Sequence, residues 1–268
     1  MAEGAAAEGS ANHRSFGQDG LRYHRVLLKL SGEALAGPSG FGIDPDAVAF
    51  VAGKVNELAA LDVQVAVVLG AGNIWRGAHA HSIDRSTADQ MGMLATVMNC
   101  LALQNALEHL GQTVRVQTAI EMAAVAEAYI RRRAIHQMEK GYIVVLGAGT
   151  GNPYFTTDTA AALRAMELEC DVLIKATKVD GIYSADPAKD PTAVRYDHLS
   201  YRQALDADLR VMDLTAFTLC QENDMPIIVV DLWSAAGITD AVRGAAVGTR
   251  VDAVDNPLLG AVPALAVP

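Results

Sequence analysis

The chain has 268 residues, a formal net charge of −10, 51% hydrophobic residues and only 5% aromatic ones. That length suits one large α/β domain, since single cores grow to roughly 250 residues before chains divide, and a core drawn from Ala, Val, Leu and Ile suits a buried parallel sheet covered by helices. The acidic balance argues against nonspecific nucleic-acid binding, which needs a basic face, and no run approaches the ~20 apolar residues of a membrane span.

The first 20 residues are rich in Ala, Gly and Glu and lack the basic start and apolar middle of a signal peptide, so the protein is expected to stay in the cytoplasm. Apolar, β-branched strands are predicted at Val26–Leu30, Val63–Leu69, Val114–Val116, Ile143–Leu146, Val172–Ile174 and Ile227–Val230. Between them helical spacing is predicted over Pro45–Ala60, Asp89–Leu110, Arg132–Lys140, Asp158–Glu169 and Thr215–Asn223. Such alternation implies right-handed crossovers and a three-layer αβα sandwich with a mainly parallel central sheet, whose ligands bind at the carboxyl ends of the strands. Three segments are expected: a flexible N-terminal extension at 1–20, one catalytic domain at 21–250, and a flexible, proline-containing tail at 251–268. Cys100, Cys170 and Cys220 form no CxxC pair and read as buried thiols.

Four loops stand out: Ser31-Gly32-Glu33, Gly70-Ala71-Gly72-Asn73, Gly147 to Asn152, and Ala176 to Gly181. Glycine lets backbone N–H groups approach an anion, so these loops suit phosphate, although tight turns alone explain any one of them. Neither GxxxxGK[ST] nor GxGxxG occurs: Asn152 and Trp75 stand where a third glycine is needed. P-loop kinases are therefore excluded and a Rossmann dehydrogenase is disfavoured.

Lys29 sits inside the apolar run Val26 to Leu30, just before Ser31-Gly32, so it either snorkels into water or holds a phosphoryl group as a point charge. Arg76 follows the second glycine loop, with a solvated arginine as the alternative. Asp89, Asp158 and Asp213 each open a predicted helix, where capping suffices as an explanation; Asp89 also suits ribose hydroxyls and Asp158 a metal. Thr156 and Thr157 offer hydroxyls and N–H groups where the helix dipole favours an anion. His79 and His81 lack further ligands for a metal, and Arg131 to Arg133 read as a solvated or intersubunit face.

Val-Leu-Leu-Lys-Leu-Ser-Gly-Glu-Ala-Leu from Val26, Asp-Gln-Met-Gly-Met-Leu from Asp89, Gly-Asn-Pro-Tyr-Phe-Thr-Thr-Asp from Gly151, Lys-Ala-Thr-Lys-Val-Asp-Gly-Ile-Tyr from Lys175 and Met-Asp-Leu-Thr-Ala-Phe from Met212 resemble the bacterial uridylate kinases of the amino-acid-kinase superfamily. The resemblance implies transfer of the γ-phosphoryl of ATP to UMP, in pyrimidine nucleotide biosynthesis, on the amino-acid-kinase fold. It implies that Lys29, Ser31 and Gly32 meet ATP phosphates, that Leu30, Gly72 and Arg76 bind ATP nearby, and that Thr177, Tyr183 and Asp186 lie around the adenine nucleotide. It places UMP on Ala71, Asp89 and the stretch Thr150, Gly151, Asn152, Pro153, Tyr154, Phe155, Thr156 and Thr157, and makes Lys29, Arg76, Asp158 and Asp213 the catalytic set. Mg²⁺ would be held mainly by the ATP phosphates, with no protein ligand assigned. GTP as activator, with Gly37 to Gly42 near its site, UTP as inhibitor and a homohexamer are further implications. The Met/Leu-rich helix from Met91 to Leu107 suits an interface or the core equally. Ala71 departs from the family's third consecutive glycine, and a positive φ there would cost alanine about 1 kcal/mol or more. A carboxylate-phosphorylating relative and a noncatalytic nucleotide sensor are the competing readings.

Overall fold

The computed structural model describes residues 20–75, 83–209 and 211–257. Nine strands form one sheet: β1 (Arg25–Leu30), β2 (Gln64–Leu69), β3 (Val114–Thr118), β4 (Glu127–Ala128), β5 (Ile143–Gly147), β6 (Val172–Thr177), β9 (His198–Ser200), β10 (Ile227–Asp231) and β11 (Thr249–Asp252). Their order is β4-β3-β5-β2-β1-β6-β10-β11-β9, and every neighbouring pair is parallel except β10–β11. A separate antiparallel ribbon, β7 (Ile182–Tyr183) with β8 (Arg195–Tyr196), rises from the connection between β6 and β9.

The helices are α1 (Pro45–Ala59), α2 (Arg85–His109), α3 (Arg131–Glu139), α4 (Thr157–Glu167), α5 (Tyr201–Asp206), α6 (Leu214–Glu222) and α7 (Gly237–Arg243). They cover both faces, because the β1 side chains alternate between two cores. Val26, Leu28 and Leu30 pack with Val51 and Val55 of α1, Leu103 of α2 and Val242 of α7. Leu27 packs on the opposite face with Ala161 and Ala165 of α4, Met138 of α3 and Phe217 of α6. Three layers result, as the alternation of strands and helices predicts, and Cys100, Cys170 and Cys220 are buried within them. Burial pushes the Cys100 and Cys220 thiols up to about 12, which leaves them inert at neutral pH.

Two helix caps differ from expectation. α2 begins four residues before Asp89, capped by Asp84, which accepts from the Thr87 N–H at 3.0 Å. Asp89 is therefore no cap. Thr156, not Asp158, caps α4, accepting from the Asp158 and Thr159 N–H groups. Asp213 does cap α6, at 3.0 Å from the Ala216 nitrogen. At the carboxyl end, Val251 and Asp252, assigned above to a flexible tail, pair with β10 and β9, and the Asn256 side chain donates to the His198 carbonyl at 2.8 Å. The ordered chain thus continues past 250, because an interior strand with backbone partners on both sides is held by its ladder rather than by any apolar period.

Candidate active site

Lys29 lies at the carboxyl end of β1 with the parity of Leu27, so its side chain leaves the sheet on the α4 face. Lys175 of β6 shares the parity of Leu173 and is the direct register partner of Lys29. Two ammoniums therefore stand side by side, and Asp158, in the first turn of α4, comes down between them. Its Oδ1 is 2.7 Å from Lys29 Nζ and its Oδ2 is 2.9 Å from Lys175 Nζ. Lys29 approaches Oδ1 off the hydrogen-bonding direction, so that buried oxygen has a charge beside it but no aligned donor. Lys175 also donates to the Val211 carbonyl at 2.7 Å.

The three side chains are only 11–16% exposed, so their charges are weakly screened. Burial works to raise the Asp158 pKa, but Lys29 and Lys175 together outweigh it and hold the carboxyl below its ordinary range. Burial lowers the Lys175 pKa and the neighbouring Lys29 adds to that, against the pull of Asp158. One carboxylate between two ammoniums leaves the group positive while keeping the lysines together.

Asp213 sits beside this cluster and is fully engaged. It accepts from Thr156 Oγ1 at 2.5 Å, from Thr159 Oγ1 at 3.1 Å and from the Ala216 N–H at 3.0 Å. It thereby ties the amino-terminal ends of α4 and α6 together.

The glycine loops converge on the same edge. A Cβ on Gly32 would lie 2.5 Å from the Gly70 carbonyl and from Asn73 Oδ1, so no other residue fits there. Asn73 and Asn99 of α2, both fully buried, exchange reciprocal amide bonds of 2.9 and 2.8 Å, and Asn99 Nδ2 also donates to the Gly70 carbonyl at 2.8 Å. Asn73 Nδ2 reaches the Gly42 carbonyl at 2.8 Å, which fastens the Gly37 to Gly42 segment to the same loop. Ala71 does not take a positive φ. The strained alanine is Ala148, at φ 62, followed by Gly149 at φ 57, and it is held there by its N–H bond to Thr96 Oγ1 at 2.8 Å.

Between α2 and the Gly147 to Thr157 loop lies a cleft of about 150 Å³. Of the residues expected on UMP, Ala71, Asp89, Thr150, Asn152, Phe155, Thr156 and Thr157 line it. Gly151, Pro153 and Tyr154 belong to the same loop but do not line the cleft; Tyr154, at φ 73, turns its N–H onto Asp89 Oδ2 at 2.7 Å. Asp89 also accepts from Arg85 Nε at 2.9 Å. Trp75 and Thr96, not singled out from sequence, also line the cleft; an indole one turn after a glycine loop was the available signal for Trp75. Lys175 is the main omission. It lies one residue past the predicted end of its strand, and only sheet register shows it beside Lys29.

Among the residues expected on ATP, Leu30 after Lys29 is buried in the core, Ser31 and Gly32 follow it, and Gly72 lies against the Glu33 side chain. Thr177 Oγ1 closes a turn with Val179 at 2.9 Å. Tyr183, which bonds Asp180 at 2.7 Å, and Asp186, paired with Lys189 at 3.4 Å, make these contacts within the excursion that carries the ribbon. Arg76, His79 and His81 lie outside the described residues. Among the described residues no group of three His, Cys, Asp or Glu side chains is placed to hold a metal ion. Asp158 and Asp213 are committed to lysines and threonines, so the donor set fits a metal that arrives on phosphate oxygens rather than one held in a protein cage.

Residues 24–231 match the model of the amino acid kinase family. The fold is similar to the UMP kinase of Bacillus anthracis, with 37% identity and a TM-score of 0.84 over 86% of this chain and 96% of that one. The UMP kinase of Ureaplasma parvum gives 37% identity and 0.81 over 87% and 100%. The uridylate kinase of Archaeoglobus fulgidus gives 31% and 0.65 over 84% and 99%.

Proposed function

We propose that this chain, which belongs to the amino acid kinase family, is a UMP kinase that moves the γ-phosphoryl group of ATP onto the phosphate of UMP, giving UDP and ADP. The observation that carries this reading is the pair of register-matched lysines straddling Asp158 beside a cleft lined by Asp89 and the Thr150 to Thr157 loop.

The acceptor phosphate is already anionic near neutral pH, since its second pKa is about 6, so the reaction needs no enzyme base. Its obstacle is repulsion: unit charges ~4 Å apart cost about 4 kcal/mol at an effective dielectric of ~20. Lys29 and Lys175 stand where they would offset that charge, Asp158 keeps them in register, and the α4 amino terminus adds its dipole. Ser31, Gly32 and Gly72, with Arg76, would cradle the donor phosphates, and Mg²⁺ bound to those phosphates would neutralise part of their charge. Thr177, Tyr183 and Asp186 would take the adenosine part. Asp89 would accept from the ribose hydroxyls of UMP, and Thr150 to Thr157 would hold its phosphate in line for attack.

The reading extends to a cytoplasmic enzyme of pyrimidine nucleotide biosynthesis, assembled as a homohexamer and regulated by GTP as activator and UTP as inhibitor. It is supported in part by the fact that no described helix is long and apolar enough to cross a membrane. A coupled assay with Mg-ATP, offering UMP, CMP, dTMP and glutamate separately and repeated with GTP or UTP, tests it. Selective turnover of UMP is the expected outcome; turnover of glutamate, or of nothing, overturns it.

A further inference from the structure

The loops after β1 and β6 leave adjacent strands, with Leu30 and Ala176 in register. Across the gap between them Lys178 Nζ meets Glu33 Oε2 at 3.1 Å. Glu33 belongs to the 3-10 turn from Gly32 to Leu35, and its Cγ lies 3.3 Å from where a Cβ on Gly72 would stand. Its side chain therefore lies against Gly72, part of the backbone expected to meet the donor nucleotide.

The other charged and hydroxyl groups of the β6 loop are committed locally. Thr177 closes its turn with Val179, and Asp180 is bound by Tyr183 and by Arg195 at 3.0 Å. Lys178 is the loop's cation, and it reaches the Glu33 carboxylate that lies beside Gly72. Its side chain is 65% exposed against 34% for Glu33, so the pair is solvent-screened and worth little by itself. An ammonium in a weak pair exchanges readily onto a triphosphate, which carries several charges at the same place.

We infer that Lys178 is a ligand of the donor triphosphate, held in reserve by Glu33, and that Glu33 competes with the nucleotide for it. This rests on the reading of ATP as donor. Glu33 then sets donor affinity: the triphosphate must displace a carboxylate from Lys178 before it is fully held.

Titration calorimetry with Mg-ATP in the absence of UMP tests this on the wild-type chain, Glu33→Gln, Lys178→Met and the double variant. Both side chains are solvent-accessible, so the variants are expected to melt with the wild type. Glu33→Gln should bind ATP about three- to fivefold more tightly, the scale of an exposed ion pair. Lys178→Met should bind it about tenfold more weakly, the scale of one charged hydrogen bond. In the Lys178→Met background the gain from Glu33→Gln should largely vanish. A gain that persists there in full would make Glu33 a simple repulsive charge and overturn the exchange. Variants that bind ATP as the wild type does, in a chain that phosphorylates UMP, overturn the inference alone; a wild-type chain that neither binds ATP nor phosphorylates UMP removes the reading beneath it as well.

Discussion

Asp158 carries two lysines on one carboxylate, and what it does is best seen from what its loss would leave. Asp158→Asn keeps the shape but sets Lys29 and Lys175 side by side with no counter-charge. Removing one partner of a buried pair costs about 3–5 kcal/mol, within the ~5–15 kcal/mol of a typical domain, so the variant should fold, melt earlier and lose turnover by about 100-fold or more. The pH dependence has a definite sign. Asp158 has a lowered pKa in the folded state, so its stabilisation is complete above the unfolded value of about 3.9 and is lost as pH falls through the folded one. The gap in denaturation midpoint between wild type and Asp158→Asn should therefore be widest above about pH 4 and shrink below it; a gap that stays constant into strong acid would refute the coupling. At this scale Lys29 was legible, because a charge inside an apolar run calls for a partner. Lys175 was not, because its significance lies in a register partner 146 positions away in sequence.

At the scale of elements, α2 decides how the cleft lined by Asp89 and the glycine loops are joined. Its start at Arg85 rather than Asp89 places Asp89 inside the helix, facing the cleft, which frees that carboxylate from capping and lets it meet the Tyr154 N–H. Asn99, farther along the same helix, holds the Gly70 carbonyl and Asn73 in a fully buried amide pair. Each buried polar group left unpaired costs about 1–3 kcal/mol, so Asn99→Leu, which strands two partners, should lower stability by about 2–4 kcal/mol in chemical denaturation. Pairing it with Asn73→Leu should recover part of that loss; a double variant as unstable as the sum of the singles would argue against a shared network. Local patterning located the long helices and the start of α1 at Pro45 but misplaced the start of α2, since Asp84 and Asp89 are equally good caps by composition and only the turn geometry selects one. α5 announces itself by a capping box, Ser200 with Gln203, yet its six residues are too few to display a helical period.

For the whole molecule, α2 also presents Met91, Leu94 and Met98, 36%, 52% and 53% exposed, along one outward face. Sequence left this stripe open between core and interface; these three side chains are outside the core, which suits the proposed homohexamer. Light scattering after size exclusion should find the native chain as an assembly, and Met98→Glu, which sets a charge in an apolar contact, should shift it to smaller species. A monomeric native chain would exclude the assembly. The layered fold was determined by the sequence itself, because the period of apolar residues dictates strand or helix and their alternation leaves few topologies. The glycine loops and the Thr150 to Asp158 segment were equally evident, since their chemistry is local. Only the tertiary structure decided that Lys175 stands beside Lys29, that Asp158 bridges them, that Ala148 rather than Ala71 bears the backbone strain, and that the ordered chain continues into β11. Each of these depends on register or on packing between distant segments, and no local period encodes which strands become neighbours.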